Sequence, residues 1–178
     1  MRDWRRSGDH FVATLERQEA QLLRALVGQI RDILAARAAE APTDELAKIT
    51  GIREGPSKPP DDRVLARLLP DYSRDDPELS SGLRTLHEPE LIDAKSEVAA
   101  IVLQTCPSSG GRVRLDREQA AAWLSALNDV RLALGTALEV TEDMPDDLPP
   151  SDPRAPHLGV YHWLTYVQET LVQAMSRR

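Results

Sequence analysis

The sequence predicts a mainly α-helical protein: a single helical-bundle domain over residues 1–178, with about five helices and at most a small two-stranded β-ribbon. Three observations carry this expectation. Aromatic residues are few (three Trp, three Tyr and one Phe), so the core must be built from Leu, Val, Ile and Ala. That favours helix packing over a β-sandwich. Apolar residues recur at helical spacing in several long stretches. Proline-rich loops, 41–60 and 143–156, separate them.

The elements follow in chain order. Phe11, Ala13 and Leu15 alternate with Val12 and Thr14, which permits a short strand. A first helix is expected from about Glu16 to about Ala39, striped by Leu22, Leu23, Leu26, Ile30, Ile33 and Leu34. The first loop has room for at most one helical turn, Asp44–Ile49. Asp61-Asp62 then offers an N-cap for a short helix, Val64–Leu69, which Pro70 stops. Asp75-Asp76-Pro77 is a second start signal, an acidic cap followed by proline at the first helical position. That helix uses Leu79, Leu83 and Leu86, and Pro89 predicts a break or kink before a segment from about Glu90 to Thr105.

Pro107–Gly111 reads as a loop, and Arg112–Leu115 alternates as a short strand. Asp116 caps the next helix, with Gln119 as its capping-box partner. Trp123, Leu127, Val130, Leu134 and Leu138 form that helix's apolar face. A last helix is expected from about Gly159 to Met175.

Residues Val12–Leu26 and Val113–Leu127 echo each other as strand, acidic cap and amphipathic helix. A lone short strand leaves its backbone groups unpaired, so the two strands are expected to pair. Pairing would gather Arg2, Arg5, Arg6, Arg112 and Arg114 into one basic patch.

Net charge is −7, which disfavours direct DNA binding, since phosphate neutralisation needs clustered Lys and Arg. No apolar run approaches the roughly 18 residues of a membrane span, and no signal peptide is visible, so a cytoplasmic location without membrane attachment is expected. Cys106 stands alone, so neither an intramolecular disulfide nor a multi-cysteine zinc site can form. It reads either as a small apolar core residue or as a redox-sensitive thiol. His157 and His162 are five apart and do not share a helix face. Asp143, Asp146 and Asp147 lack the ordered spacing of a calcium loop. No metal, cofactor or catalytic residue is expected.

The most functional-looking residues are Asn128, Asp129 and Arg131, in the middle of an apolar-striped helix. A buried Arg needs its donors matched, so Arg131 is expected to meet a carboxylate, with Asp129, Glu88 and Glu97 as candidates. The resulting network would lock helices together or contact a partner.

Several segments carry a resemblance. They are Gly55–Asp62, Leu65–Asp71, Asp75–Glu78, Trp123–Thr136 (with its Leu-Asn-Asp-Val-Arg-Leu core) and Val140–Asp143. Together they resemble an actinobacterial family known as domain of unknown function twenty-seventeen, over nearly the whole chain. The resemblance implies an intracellular protein and a transcriptional regulator linked to oxidative stress, with genes near a Clp-protease adaptor. It supplies no catalytic residues. A switch built on an internal disulfide would need a second cysteine besides Cys106.

The expected function is therefore a non-enzymatic, transcription-linked regulator that contacts a sigma factor or polymerase in a stress response. Direct DNA binding, a proteolysis adaptor and an enzyme centred on Asp129 and Arg131 are the alternatives. A homodimer is compatible with the sequence.

Overall fold

Two stretches of chain about a hundred residues apart meet as neighbouring strands, and the rest of the fold is arranged around that meeting. The computed structural model describes residues 1–41, 54–145 and 147–176. The expected helical turn at Asp44–Ile49 lies outside the described residues. Strands β1 (Arg2–Ser7), β2 (His10–Leu15) and β3 (Gly111–Leu115) form an antiparallel sheet in the order β1-β2-β3. Helices α1 (Arg17–Ala38), α2 (Arg63–Leu68), α3 (Pro77–Thr105), α4 (Arg117–Ala137) and α5 (Ala155–Ser176) complete the described residues.

The expected pairing of β2 with β3 is present, antiparallel, with Phe11 opposite Leu115, Val12 opposite Arg114 and Thr14 opposite Arg112. The sheet is nevertheless larger than the two-stranded ribbon the sequence suggests. Strand β1 adds a hairpin through Gly8, whose φ of +62° suits a tight turn. The sequence hides β1 because its only large apolar residue is Trp4 among arginines. A register shift between Arg2 and Arg5 also breaks its period-two pattern.

One face of the sheet carries Trp4, Phe11, Ala13, Leu15, Val113 and Leu115, all buried. Trp4 meets Trp123 of α4 edge-to-face at 5.4 Å between ring centroids. The Trp123 indole donates to the Thr105 hydroxyl at 2.7 Å, which ties α4 to the end of α3.

Helix starts obey the cap signals. The Asp62 and Asp76 carboxylates accept Leu65 N–H at 2.7 Å and Leu79 N–H at 2.9 Å. Asp116 and Gln119 exchange side-chain-to-backbone bonds of 2.8 and 3.0 Å, the capping box.

Helix α3 departs most from expectation. Of the break or kink expected at Pro89, the break does not occur: one helix spans Pro77–Thr105. Proline has no N–H to give Thr85, four residues back. The Thr85 carbonyl instead accepts the Gly55 N–H at 2.8 Å. A Cβ on Gly55 would lie 3.0 Å from Pro89 Cδ, so a side chain there would push on the ring. The proline thus opens an acceptor that fastens the 54–60 segment to the helix.

The first half of α3 also turns its polar side inward. Leu79 and Leu86 are 51% and 57% exposed, while Ser80, Arg84 and Glu88 are buried. Glu88 is fully buried, with one carboxylate oxygen on Arg37 Nε at 2.7 Å and the other on Arg84 Nη1. Arg84 also reaches Asp71 at 2.7 Å, and Arg37 reaches Glu40 at 2.6 Å. Burial alone would lower the Arg37 pKa, but its bonds to Glu88 and Glu40 outweigh that and raise it. This Arg-Glu-Arg core joins α1, α3 and the 69–71 turn.

Replacing Glu88 by Leu leaves two buried guanidiniums without their shared carboxylate. The expected cost is about 3–5 kcal/mol. Urea unfolding of the variant measures it, and a loss under about 1 kcal/mol would contradict the role assigned to Glu88.

Candidate functional site

In a sheet, residues paired across strands share a face. The register therefore places Arg5, Val12 and Arg114 in one row and Arg2, Thr14 and Arg112 in the next, on the side away from the core. Strands lie roughly 4.8 Å apart, so Arg5 and Arg114 flank Val12 at about 10 Å from each other. Val12 is only 3% exposed. Arg114 Nη2 approaches His10 Nδ1 at 3.2 Å on the same face. A shallow groove of about 330 Å³ runs along it between Arg2, Arg5 and Arg112, with Asp3 at its margin. Asp3 accepts a hydrogen bond from the Tyr166 hydroxyl of α5. The face has four arginines against one carboxylate, on a chain of net charge −7.

Arg6 does not join this row. It pairs in register with Phe11, on the opposite pleat, and its Nε donates to the Gly8 carbonyl at 3.1 Å. The composite patch therefore contains Arg2, Arg5, Arg112 and Arg114 of the five arginines expected.

The central residues of α4 separate as well. Asn128 is exposed. Asp129 is buried and pairs with Lys95 of α3 at 2.6 Å. Arg131 faces α5 instead, donating from Nε to Thr165 Oγ1 at 3.0 Å and from Nη1 to Gln168 Oε1 at 2.6 Å. Its guanidinium lies 5.5 Å from the Tyr161 ring centroid. No described carboxylate pairs with it, which corrects the expected Arg131–acid bond. Glu88 likewise serves Arg37 and Arg84, not Arg131. Asp129 and Arg131 are two positions apart and so point to different neighbours. They do not form one constellation.

Cys106 sits at the C-cap of α3 and is 3% exposed. Burial pushes its thiol up to about 11, and nearby Arg24 only partly opposes this. Arg24 spends its donors on the Leu103 carbonyl and, at 2.7 Å, on the Cys106 carbonyl, closing the end of the helix. The environment is that of a packed core thiol. This is the first of the two readings of Cys106, the small apolar core residue; a redox-sensitive thiol reacts as an exposed thiolate. Among the described residues no group of three or more His, Cys, Asp or Glu could hold a metal ion. No described helix is long and apolar enough to cross a membrane.

The fold and this face define a mainly helical protein with a small antiparallel sheet whose outer side is coated with arginine. The chain belongs to the family described as domain of unknown function (DUF2017), whose model matches residues 1–175. It is 44% identical over 189 residues to the oxidative stress regulator AosR of Mycobacterium tuberculosis H37Rv, covering 97% of this chain and 87% of that protein. It has the same identity and coverage to the oxidative stress regulator AosR of Mycobacterium bovis. No solved structure matches it.

The Cys106 geometry gives two expected outcomes. At pH 7 only on the order of one thiol in ten thousand is ionised, so labelling by a disulfide reagent should be slow until the protein is unfolded. Labelling as fast as in the urea-unfolded chain would contradict the buried thiol. The folded-state pKa lies above the unfolded value, so the folded form holds the proton longer. The Cys106 contribution to stability is therefore full below about pH 9 and falls as pH rises toward about 11. Replacing Cys106 by Ala should flatten that part of the stability–pH curve.

Proposed function

We propose that this chain is an oxidative-stress regulator that acts by contact with an acidic surface of a protein partner, and that the outer face of its sheet makes the contact. The observation that carries the reading is the row-by-row register of Arg2, Arg5, Arg112 and Arg114 on a chain of net charge −7. An acidic chain is repelled from nucleic acid at long range, yet this one presents a local cationic field. Such a field steers and orients an acidic protein surface. The names of the mycobacterial relatives support the stress-response setting. A component of the transcription machinery, a sigma factor or the polymerase, is the partner class this reading favours.

An enzyme centred on Asp129 and Arg131 has no support in the geometry. Asp129 is consumed by Lys95, and Arg131 is turned toward α5. A non-enzymatic role is part of the proposal. Direct DNA contact through the same arginines is the second reading, since guanidiniums also bind phosphate.

The test compares wild type with the double variant Arg5→Glu and Arg114→Glu. Purified RNA polymerase holoenzyme and a promoter duplex serve as separate ligands. Both side chains are exposed, so the fold should survive the exchange. The expected result is holoenzyme binding that weakens with salt and drops about 100-fold in the double variant. Binding of the duplex should stay weak at about 150 mM salt. Tight, sequence-selective duplex binding, or holoenzyme binding indifferent to the charge reversal, would overturn the proposal.

A further inference from the structure

A second cationic site lies away from the sheet, where α2, the end of α4 and α5 meet. A cavity of about 430 Å³ there is lined by Arg63, Arg67, Arg131, Glu139 and Tyr161. Arg63 and Arg67 are four apart on α2 and therefore share its face. Arg131 comes from α4 and is held in a fixed pose. Thr165 and Gln168 take its Nε and Nη1, and Tyr161 stacks against it. Gly135 lets the Tyr161 ring lie close to α4: a Cβ there would come 3.2 Å from Tyr161 Cε2, so the ring would have to shift slightly. All these partners are neutral, and Nη2 has no partner among the described residues. Arg67 is exposed and likewise has no described partner. Arg63 holds Glu139, the only carboxylate among the described lining residues, at 2.8 Å. Three guanidiniums thus face one carboxylate.

Glu139 has a φ of +56°, a left-handed conformation that glycine adopts without strain and glutamate does not. The position ends α4, with Val140 N–H returning to the Gly135 carbonyl at 2.9 Å. This is where a helix most often places glycine. An acid at this position puts its carboxylate on Arg63 at the rim of the cavity. The Arg63 hydrogen bond holds that carboxyl below its usual range. Glu139 therefore occupies one guanidinium and leaves Arg67 and Arg131 uncompensated.

We propose that this cavity binds a small organic phosphate, with the phosphoryl group on Arg131 and Arg67 and the organic part against Tyr161. Guanidiniums from two helices lining one cavity suit a tetrahedral group with three acceptor oxygens and a charge near −2 better than a planar carboxylate. The cavity is several times the size of a phosphate group, and Tyr161, Leu132 and Val140 supply an apolar wall for the remainder. Glu139 competes with the ligand for Arg63. The site stands apart from the sheet face and does not depend on the function proposed above.

Titration calorimetry with pyrophosphate and with citrate, at fixed ionic strength, tests the assignment. Pyrophosphate should bind with one-to-one stoichiometry and more tightly than citrate. Arg67→Glu, a change on an exposed side chain, should weaken binding by about tenfold or more, and Glu139→Gln should tighten it. Arg114→Glu on the sheet should leave it unchanged. Absent or non-saturating binding, a preference for citrate, retention in Arg67→Glu, or loss in Arg114→Glu would each overturn the assignment.

Discussion

The pairing of β2 with β3 is the constraint on which the rest depends. A strand of five or six residues has no stability alone, since it makes none of its ladder hydrogen bonds within itself. Bringing Phe11–Leu15 against Gly111–Leu115 pairs one side of each strand and fixes, in one step, where α1 and α4 begin. Each strand feeds its helix through a single acidic residue, Glu16 or Asp116. Once the register is set, alternation sends Phe11, Ala13, Leu15, Val113 and Leu115 to the core and Arg112 and Arg114 outward, and β1 adds Arg2 and Arg5 to the same rows. The cationic face is thus a consequence of the pairing that builds the core.

The helical architecture was legible wherever apolar spacing and caps agreed. Asp62, Asp76 and Asp116 cap as their sequence neighbourhoods suggest, and α1 spans nearly the expected residues. The pairing of β2 with β3 was legible from the repeated order of strand, cap and helix. Strand β1 was not, because its partner supplies the apolar face and its own residues are mostly arginine. A positively charged edge strand also resists pairing with other chains, which is one reason to build it this way.

The first half of α3 misled for a different reason. Leu79 and Leu86 read as a core stripe, yet the helix buries Ser80, Arg84 and Glu88. Periodicity identifies a helix face but not which of two faces is inside. The deciding energy is the mutual satisfaction of Arg37, Glu88 and Arg84, groups up to 51 positions apart. The same logic split the motif around Asp129 and Arg131. Its spacing promised a cluster, but Lys95 and Gln168, on different helices, claim its members. Charges that look functional in one dimension become locks in three. What the motif leaves unmatched, the Arg131 guanidinium, emerges only when α2 and α5 are in place.

If the arginine face of the sheet is the contact surface, a bound partner covers it. Amide hydrogen exchange on the protein alone and bound to RNA polymerase holoenzyme tests this most directly. The outward amides of the edge strands β1 and β3 are open in the free protein and should slow markedly in the complex, while α5 stays unchanged. Slowing confined to the exposed leucine side of α3, with β1 and β3 exchanging as in the free protein, would contradict it.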